Sequence, residues 1–275
     1  MNNQKSFLSL LGLLFVIYIG LFLWFYGTST TDQPINLYSN TYGIIPLLGG
    51  VYGFIIARRW GGWSSAVGRA VRLLSLGLLT WGLGMVIWLY YNLVLGVEIP
   101  YPSFADAAFI VSWPLWGFGA AFLSLAMGAN FGAKSIKGRT ILFIVPITAI
   151  VFSYYFLVTI ARQGVISTYD DALKTFFDLA YPIGDVVILT ITVLIFGLTY
   201  KYFGGMYKKA IYLILGGFVM NYFADFMFSY TTSLETYYNG SLADALFVTT
   251  MTLLSLGIAM LDPNSLSKES ESTVS

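Results

Sequence analysis

The sequence predicts an all-α membrane protein, a bundle of about eight transmembrane helices with both termini in the cytoplasm. Three observations carry that reading. Only 10% of the 275 residues are charged and 57% are hydrophobic, where a soluble domain carries about 25% charged residues. Eight apolar stretches approach the roughly 20 residues a helix needs to cross the hydrocarbon core. Lysine and arginine collect on alternate connections, the positive-inside pattern that sets orientation.

The first stretch, 7–26, follows a short polar segment and is not followed by an A-x-A-like cleavage site. It reads as a retained span rather than a signal peptide. The second, 41–58, ends on Arg58 and Arg59, and the third, 72–95, opens on Arg72 and closes on "VIWLYY". The fourth, 104–127, begins within "PSFAD" and leads to Lys134, Lys137 and Arg139. The fifth is 140–161, and the sixth, 177–200, contains "YPIGD". The seventh, 209–231, follows Lys208 and Lys209, and the eighth, 242–261, begins within "GSLAD". Residues 1–261 read as one transmembrane domain, and the polar, Ser-rich 262–275 as a disordered cytoplasmic tail. Pro46, Pro114 and Pro146 are expected to kink spans two, four and five.

Charge is sorted by side. Lys5, Arg58, Arg59, Arg69, Arg72, Lys134, Lys137, Arg139, Lys201, Lys208, Lys209 and Lys268 fall on the cytoplasmic side, and only Arg162 and Lys174 on the other. The acids reverse this. Asp32, Glu98, Asp170, Asp171 and Glu235 occupy outer loops, and Asp106, Asp178, Asp185, Asp225 and Asp244 the outer half of spans. Only Asp262, Glu269 and Glu271 are cytoplasmic. The two halves also share a pattern: Gly61 and Gly62 lead to "VIWLYY" and "PSFADAAFI", as Gly204 and Gly205 lead to "FMFSYT" and "GSLADALFV". Repeats over 7–128 and 140–261 would each hold an even number of spans, so their axis would run along the membrane normal.

Cysteine and histidine are absent. Disulfides, thiol nucleophiles, Cys/His zinc sites and imidazole catalysis are thereby excluded. Carboxylates, hydroxyls, amides and aromatic rings remain.

Asp225 is the most informative of these. It lies roughly 6–9 Å inside the outer end of its span at the usual helical rise, where a carboxylate is costly and functional by default. No cation occurs mid-span to pair with it, so it is protonated, hydrogen-bonded or neutralised by a bound cation. Asn221, one turn earlier, is the expected neighbour. Asp106 and Asp244 sit three residues after Ser103 and Ser241, an S-x-x-D capping arrangement that also complements a helix N-terminus. Asp185 follows Pro182, which suits a first helical position and places the acid about one turn in. Together the four acids would line an outward-facing acidic vestibule, with Asp178 at the interface. Aromatic residues share that level, among them Trp88, Trp113, Tyr181 and Tyr222. They read either as an interfacial belt or as a cage of rings and carboxylates for an organic cation. No cofactor is specified, and paired acids leave a divalent metal open.

The segments "YPSFADAAFIVSWPLWGFG" and "YPIGDVVIL" resemble the multi-span N-terminal membrane regions of archaeal and bacterial signalling proteins. There, similar PSxAD and YPxxD segments precede histidine-kinase or diguanylate-cyclase output domains. The similarity runs over roughly Trp81 to Leu261. By motif position it carries over Asp106 and Asp185, and more weakly Asp244 and Asp225. It implies a sensor role with the ligand undefined. Only a 14-residue tail follows Leu261, so the expected signal goes to a separate protein.

The expectation is therefore a stand-alone prokaryotic membrane sensor or ligand-binding module. It takes a small cationic or lipidic ligand, or a proton, and has no nucleic-acid partner. A proton- or cation-coupled small-solute transporter and a structural subunit of a membrane complex are the alternatives. An enzyme is the weakest reading.

Overall fold

The computed structural model describes residues 2–28, 33–97, 99–165, 171–199 and 207–265. Asp32, Glu98, Asp170, Lys201, Gly204, Gly205, Lys268, Glu269 and Glu271, all used in the sequence reading, lie outside the described residues, as does most of the expected tail.

Ten α-helices follow one another, with no strand among the described residues: α1 Asn2–Thr28, α2 Gln33–Thr41, α3 Ile44–Arg59, α4 Ala66–Leu89, α5 Phe104–Ala126, α6 Ala129–Lys134, α7 Ile136–Ser153, α8 Ala172–Thr199, α9 Lys208–Ser233 and α10 Leu242–Ala259. Eight helical spans are long and apolar enough to cross a membrane, with the end of α2 and α3 forming one of them, Leu37–Arg59. Leu13, Val16, Phe143 and Ile150 on α1 and α7 are exposed. Such a surface suits lipid as the surrounding solvent, as in a multi-pass membrane protein.

Local chemistry explains the breaks. Pro46 is expected to kink span two, and the span Leu37–Arg59 is interrupted beside it. The proline sits in the first turn of α3, and the chain breaks just before it, between Thr41 and Ile44. Proline supplies no N–H to the carbonyl four residues back and crowds it. That carbonyl belongs to Tyr42 and accepts from Ile45 N at 3.0 Å instead. Pro114 and Pro146 lie inside α5 and α7 as expected. α4 and α7 each run on into a π-helical segment, Tyr90–Leu95 and Tyr154–Ala161, a distortion that often marks functional ground.

The capping serines divide. Ser103 forms a full capping box: its hydroxyl accepts from Ala105 N at 3.2 Å, and Asp106 accepts from Ser103 N at 2.7 Å. Ser241 makes no side-chain cap, and its hydroxyl is buried without a partner. Ser103→Ala is therefore expected to lower stability by about 0.5–2 kcal/mol, and Ser241→Ala to change it little. Thermal unfolding of the two variants in mild detergent checks the contrast.

The core runs along α3, α4, α5, α9 and α10, where Trp81 packs against Tyr42, Phe109 and Phe247, and Trp116 against Phe218. α8 packs on α5, α7 and α9. Gln4 Nε2 donates to Ala259 O at 2.9 Å, Arg59 pairs with Asp262, and Trp60 Nε1 donates to Leu261 O at 2.6 Å. These contacts tie the start of α1, the end of α3 and the end of α10 together at one end of the bundle. Asp262, expected in the tail, is buried there. The loops that carry Asp171 and Glu235 lie at the opposite, acid-rich end.

Candidate functional site

α8 begins at Ala172, so Pro182 is inside the helix, and Asp185 lies more than three turns from its start. The one-turn placement drawn from Pro182 is corrected accordingly: the helix extends backward through "LKTFFDLAY", whose apolar residues continue the span. This puts Asp185 in the bundle interior, with Ile188 and Thr192 continuing the same buried stripe.

There the Asp185 and Asp225 carboxyl groups, from α8 and α9, lie within interaction range of each other. Two neighbouring carboxyls away from water disfavour double ionisation, so such a pair keeps a proton unless a cation joins it. Asn221 Nδ2 donates to Asp225 Oδ2 at 2.5 Å, one turn away on α9. The surroundings are underbonded. Among the described residues, Asp185 Oδ1 and Asn221 Oδ1 are buried without a hydrogen-bond partner. Tyr222 stands close to both Asp185 and Ser153. Unpaired buried polar atoms are rare and each calls for a bound water, ion or ligand group.

The nearest cation is committed elsewhere. Arg162, at the end of the π-helical segment, acts on Asp185 electrostatically but pairs with Asp178 at 2.9 Å. Asp178, read from sequence as interfacial, is thus an ion-pair partner.

Asp106 adjoins the pair through Tyr181. The Tyr181 hydroxyl donates to Asp106 Oδ1 at 2.7 Å, and its phenol lies within electrostatic reach of Asp225. Trp113 meets Tyr181 edge-on, with ring centroids 5.2 Å apart. Asp106, Asp185, Asn221, Tyr222 and Trp113 are all buried, and Asp225 is half-buried. The acids are enclosed rather than spread around an open mouth.

Asp244 belongs to a different cluster. It accepts from Tyr42 at 3.1 Å and from Gly240 N at 2.6 Å, and it faces Tyr38 and Tyr237. Burial, reinforced by the neighbouring Asp244 carboxyl, holds the loop phenol of Tyr237 well above the usual tyrosine range, so it remains a donor. Several donors satisfy Asp244, and none of its hydrogen bonds reaches Asp185 or Asp225. Among the described residues, Trp88 makes no hydrogen bond or ring contact to either cluster, and no three acids converge closely enough to hold a metal ion.

Tyr42, Tyr237 and Ser153 were not singled out from sequence, and Arg162 only for its side of the membrane. Tyr42 had an available signal: "TYGIIP" and "AYPIGD" place a tyrosine at corresponding points of spans two and six. The contacts match reciprocally, Tyr42 to Asp244 and Tyr181 to Asp106. Tyr181→Phe is expected to cost about 1–3 kcal/mol, the range for leaving a buried polar group without its partner, and Tyr42→Phe a similar amount. Unfolding of the two variants in detergent measures both. A neutral result at one position only would break the correspondence.

Comparisons with protein-family models, characterised proteins and solved structures returned no match.

Proposed function

We propose that this chain is a multi-pass cell-membrane sensor or ligand-binding module whose site is the Asp185–Asp225 pair, with Asn221, Tyr222, Tyr181 and Trp113 around it. Its occupant is a small monocation or a proton. The carrying observation is a carboxyl pair, one member buried and one half-buried, beside polar atoms without partners among the described residues, with the neighbouring arginine engaged by Asp178. Two carboxyls so close cannot both ionise unless positive charge arrives. A monocation that enters therefore exchanges for, or adds to, the shared proton. Rings at the same level suit an organic ammonium group.

The distribution of basic residues supports cytoplasmic termini and an outward-facing site. Occupancy would alter the α8–α9 contact, and α9 begins at the basic end with Lys208 and Lys209. A separate membrane or cytoplasmic protein could read that shift. The reciprocal Tyr–Asp contacts favour a second reading, a parallel two-fold repeat of the kind found in cation-coupled transporters.

The test is thermal unfolding of the purified protein in detergent, with a panel of ammonium, methylammonium, tetramethylammonium and sodium ions at several pH values. Stabilisation should grow with concentration, to about 2.7 kcal/mol at a hundredfold excess over Kd, and weaken as protons compete at lower pH. Indifference to every cation, together with a pH dependence of stability identical to that of Asp185→Asn/Asp225→Asn, would sink the proposal. Uptake into proteoliposomes separates transporter from sensor.

A further inference from the structure

A second charged site lies at the other end of the bundle. Arg69 and Arg72 are one turn apart on α4, so their side chains are neighbours on the helix surface. Neither pairs with a carboxylate among the described residues, and the Nε–H of each is buried without an acceptor. Arg59, close by in sequence, is by contrast paired with Asp262.

Rings hold both guanidinium groups in place. Arg69 Cζ lies 4.7 Å from the centroid of Phe122, and Arg72 Cζ lies 4.9 Å from that of Trp63 and 5.9 Å from that of Phe54. Stacking fixes the plane of a guanidinium and removes much of the entropy lost on binding. The turn before α4 completes the setting. Gly61 and Gly62 take left-handed φ values of +83° and +58°, which favour glycine, and Arg72 lies against Gly62. Neither positive charge is neutralised by a carboxylate among the described residues, so an anion at this face of α4 would supply the missing counter-charge.

We propose that Arg69 and Arg72 bind the phosphate of an anionic phospholipid headgroup. A planar fork suits phosphate oxygens in a way that a lysine point charge does not. The lipid source follows from the flank. Val51 and Ile55, one turn apart on α3, and Trp63 are exposed at 58%, 44% and 54%, an apolar strip on which acyl chains can lie. A free anion would have no use for it. This site is independent of the carboxyl pair at the opposite end.

Native mass spectrometry from mild detergent tests it, with phosphatidylglycerol and phosphatidylcholine supplied equally. The wild-type protein should retain phosphatidylglycerol selectively. R69Q/R72Q should weaken retention roughly 100-fold, about tenfold for each charge-assisted hydrogen-bonding fork lost from the phosphate. K137Q/R139Q removes the same charge from exposed positions at the same end and should change retention little. Equal loss in both double variants would mean diffuse attraction and overturn the site. If R69Q/R72Q fails to fold, R69K/R72K keeps the charge and loses the fork, and undiminished retention there also overturns the proposal. Inorganic phosphate at low millimolar concentration should not displace the lipid; displacement would overturn the lipid as occupant.

Discussion

Converting both members of the carboxyl pair to amides, Asp185→Asn with Asp225→Asn, is expected to abolish cation-dependent stabilisation while leaving the protein folded. An amide donates and accepts, so two asparagines can bond to each other and keep the Asn221 contact to position 225. Fold and packing are thus retained, and the negative charge is removed. A monocation brought to this buried position would then have no counter-charge. Breaking a buried ion pair by removing one side costs about 3–5 kcal/mol, which corresponds to a loss of roughly two to nearly four orders of magnitude in affinity.

The single variants sharpen the test. Either asparagine alone leaves one carboxyl to receive the cation, so each should bind more weakly than wild type and more tightly than the double variant. Because both residues contact the same ion and each other, their effects should be non-additive, with a coupling of about 0.5–3 kcal/mol. Titration of unfolding temperature against tetramethylammonium in the four proteins measures this. Full-strength binding in the double variant would mean that the cation binds elsewhere.

The membrane architecture was legible in the sequence for a plain physical reason. Lipid supplies no hydrogen bonds, so every crossing must be an apolar helix of nearly fixed length, and such runs leave a one-dimensional trace. The stretch 104–127 and the helix Phe104–Ala126 differ by a single residue at one end. The carboxyl pair left no such trace. Asp185 and Asp225 are 40 positions apart, and whether they meet depends on the rotation of α8 and α9, which hydropathy does not specify. The identical S-x-x-D spacings hid a difference for a related reason. Ser103 caps its helix, whereas at the start of α10 the Gly240 N–H and Tyr42 reach Asp244 directly. The intruding Tyr42 comes from a helix break 202 positions away. Pro182 misled because a proline tolerated inside a transmembrane helix looks, in one dimension, like a proline that starts one.

The residue that sets the spacing behind the pair is Gly184, and enlarging it should have the second-largest effect. It precedes Asp185 on the face where α8 meets α5, and any Cβ placed there would overlap the six-membered ring of the Trp113 indole. Gly184→Ala must therefore push the indole or the helix aside, an overpacking cost of about 1–3 kcal/mol, although alanine is otherwise the better helix former by about 1 kcal/mol. Trp113 packs on Tyr181, and Tyr181 holds Asp106, so displacing the indole disturbs both the Tyr181 contact and the α8 register that presents Asp185. Both the unfolding temperature and the cation response should fall. Gly216 on α9 supplies the control, because nothing lies within 4 Å of a Cβ added there, and Gly216→Ala should be neutral or stabilising. Trimming the obstacle with Trp113→Phe should recover part of the Gly184→Ala loss in a double-mutant cycle, with a coupling of about 0.5–3 kcal/mol. If Gly184→Ala matched Gly216→Ala in both measurements, the close approach of α5 and α8 would not be what holds the acid in place.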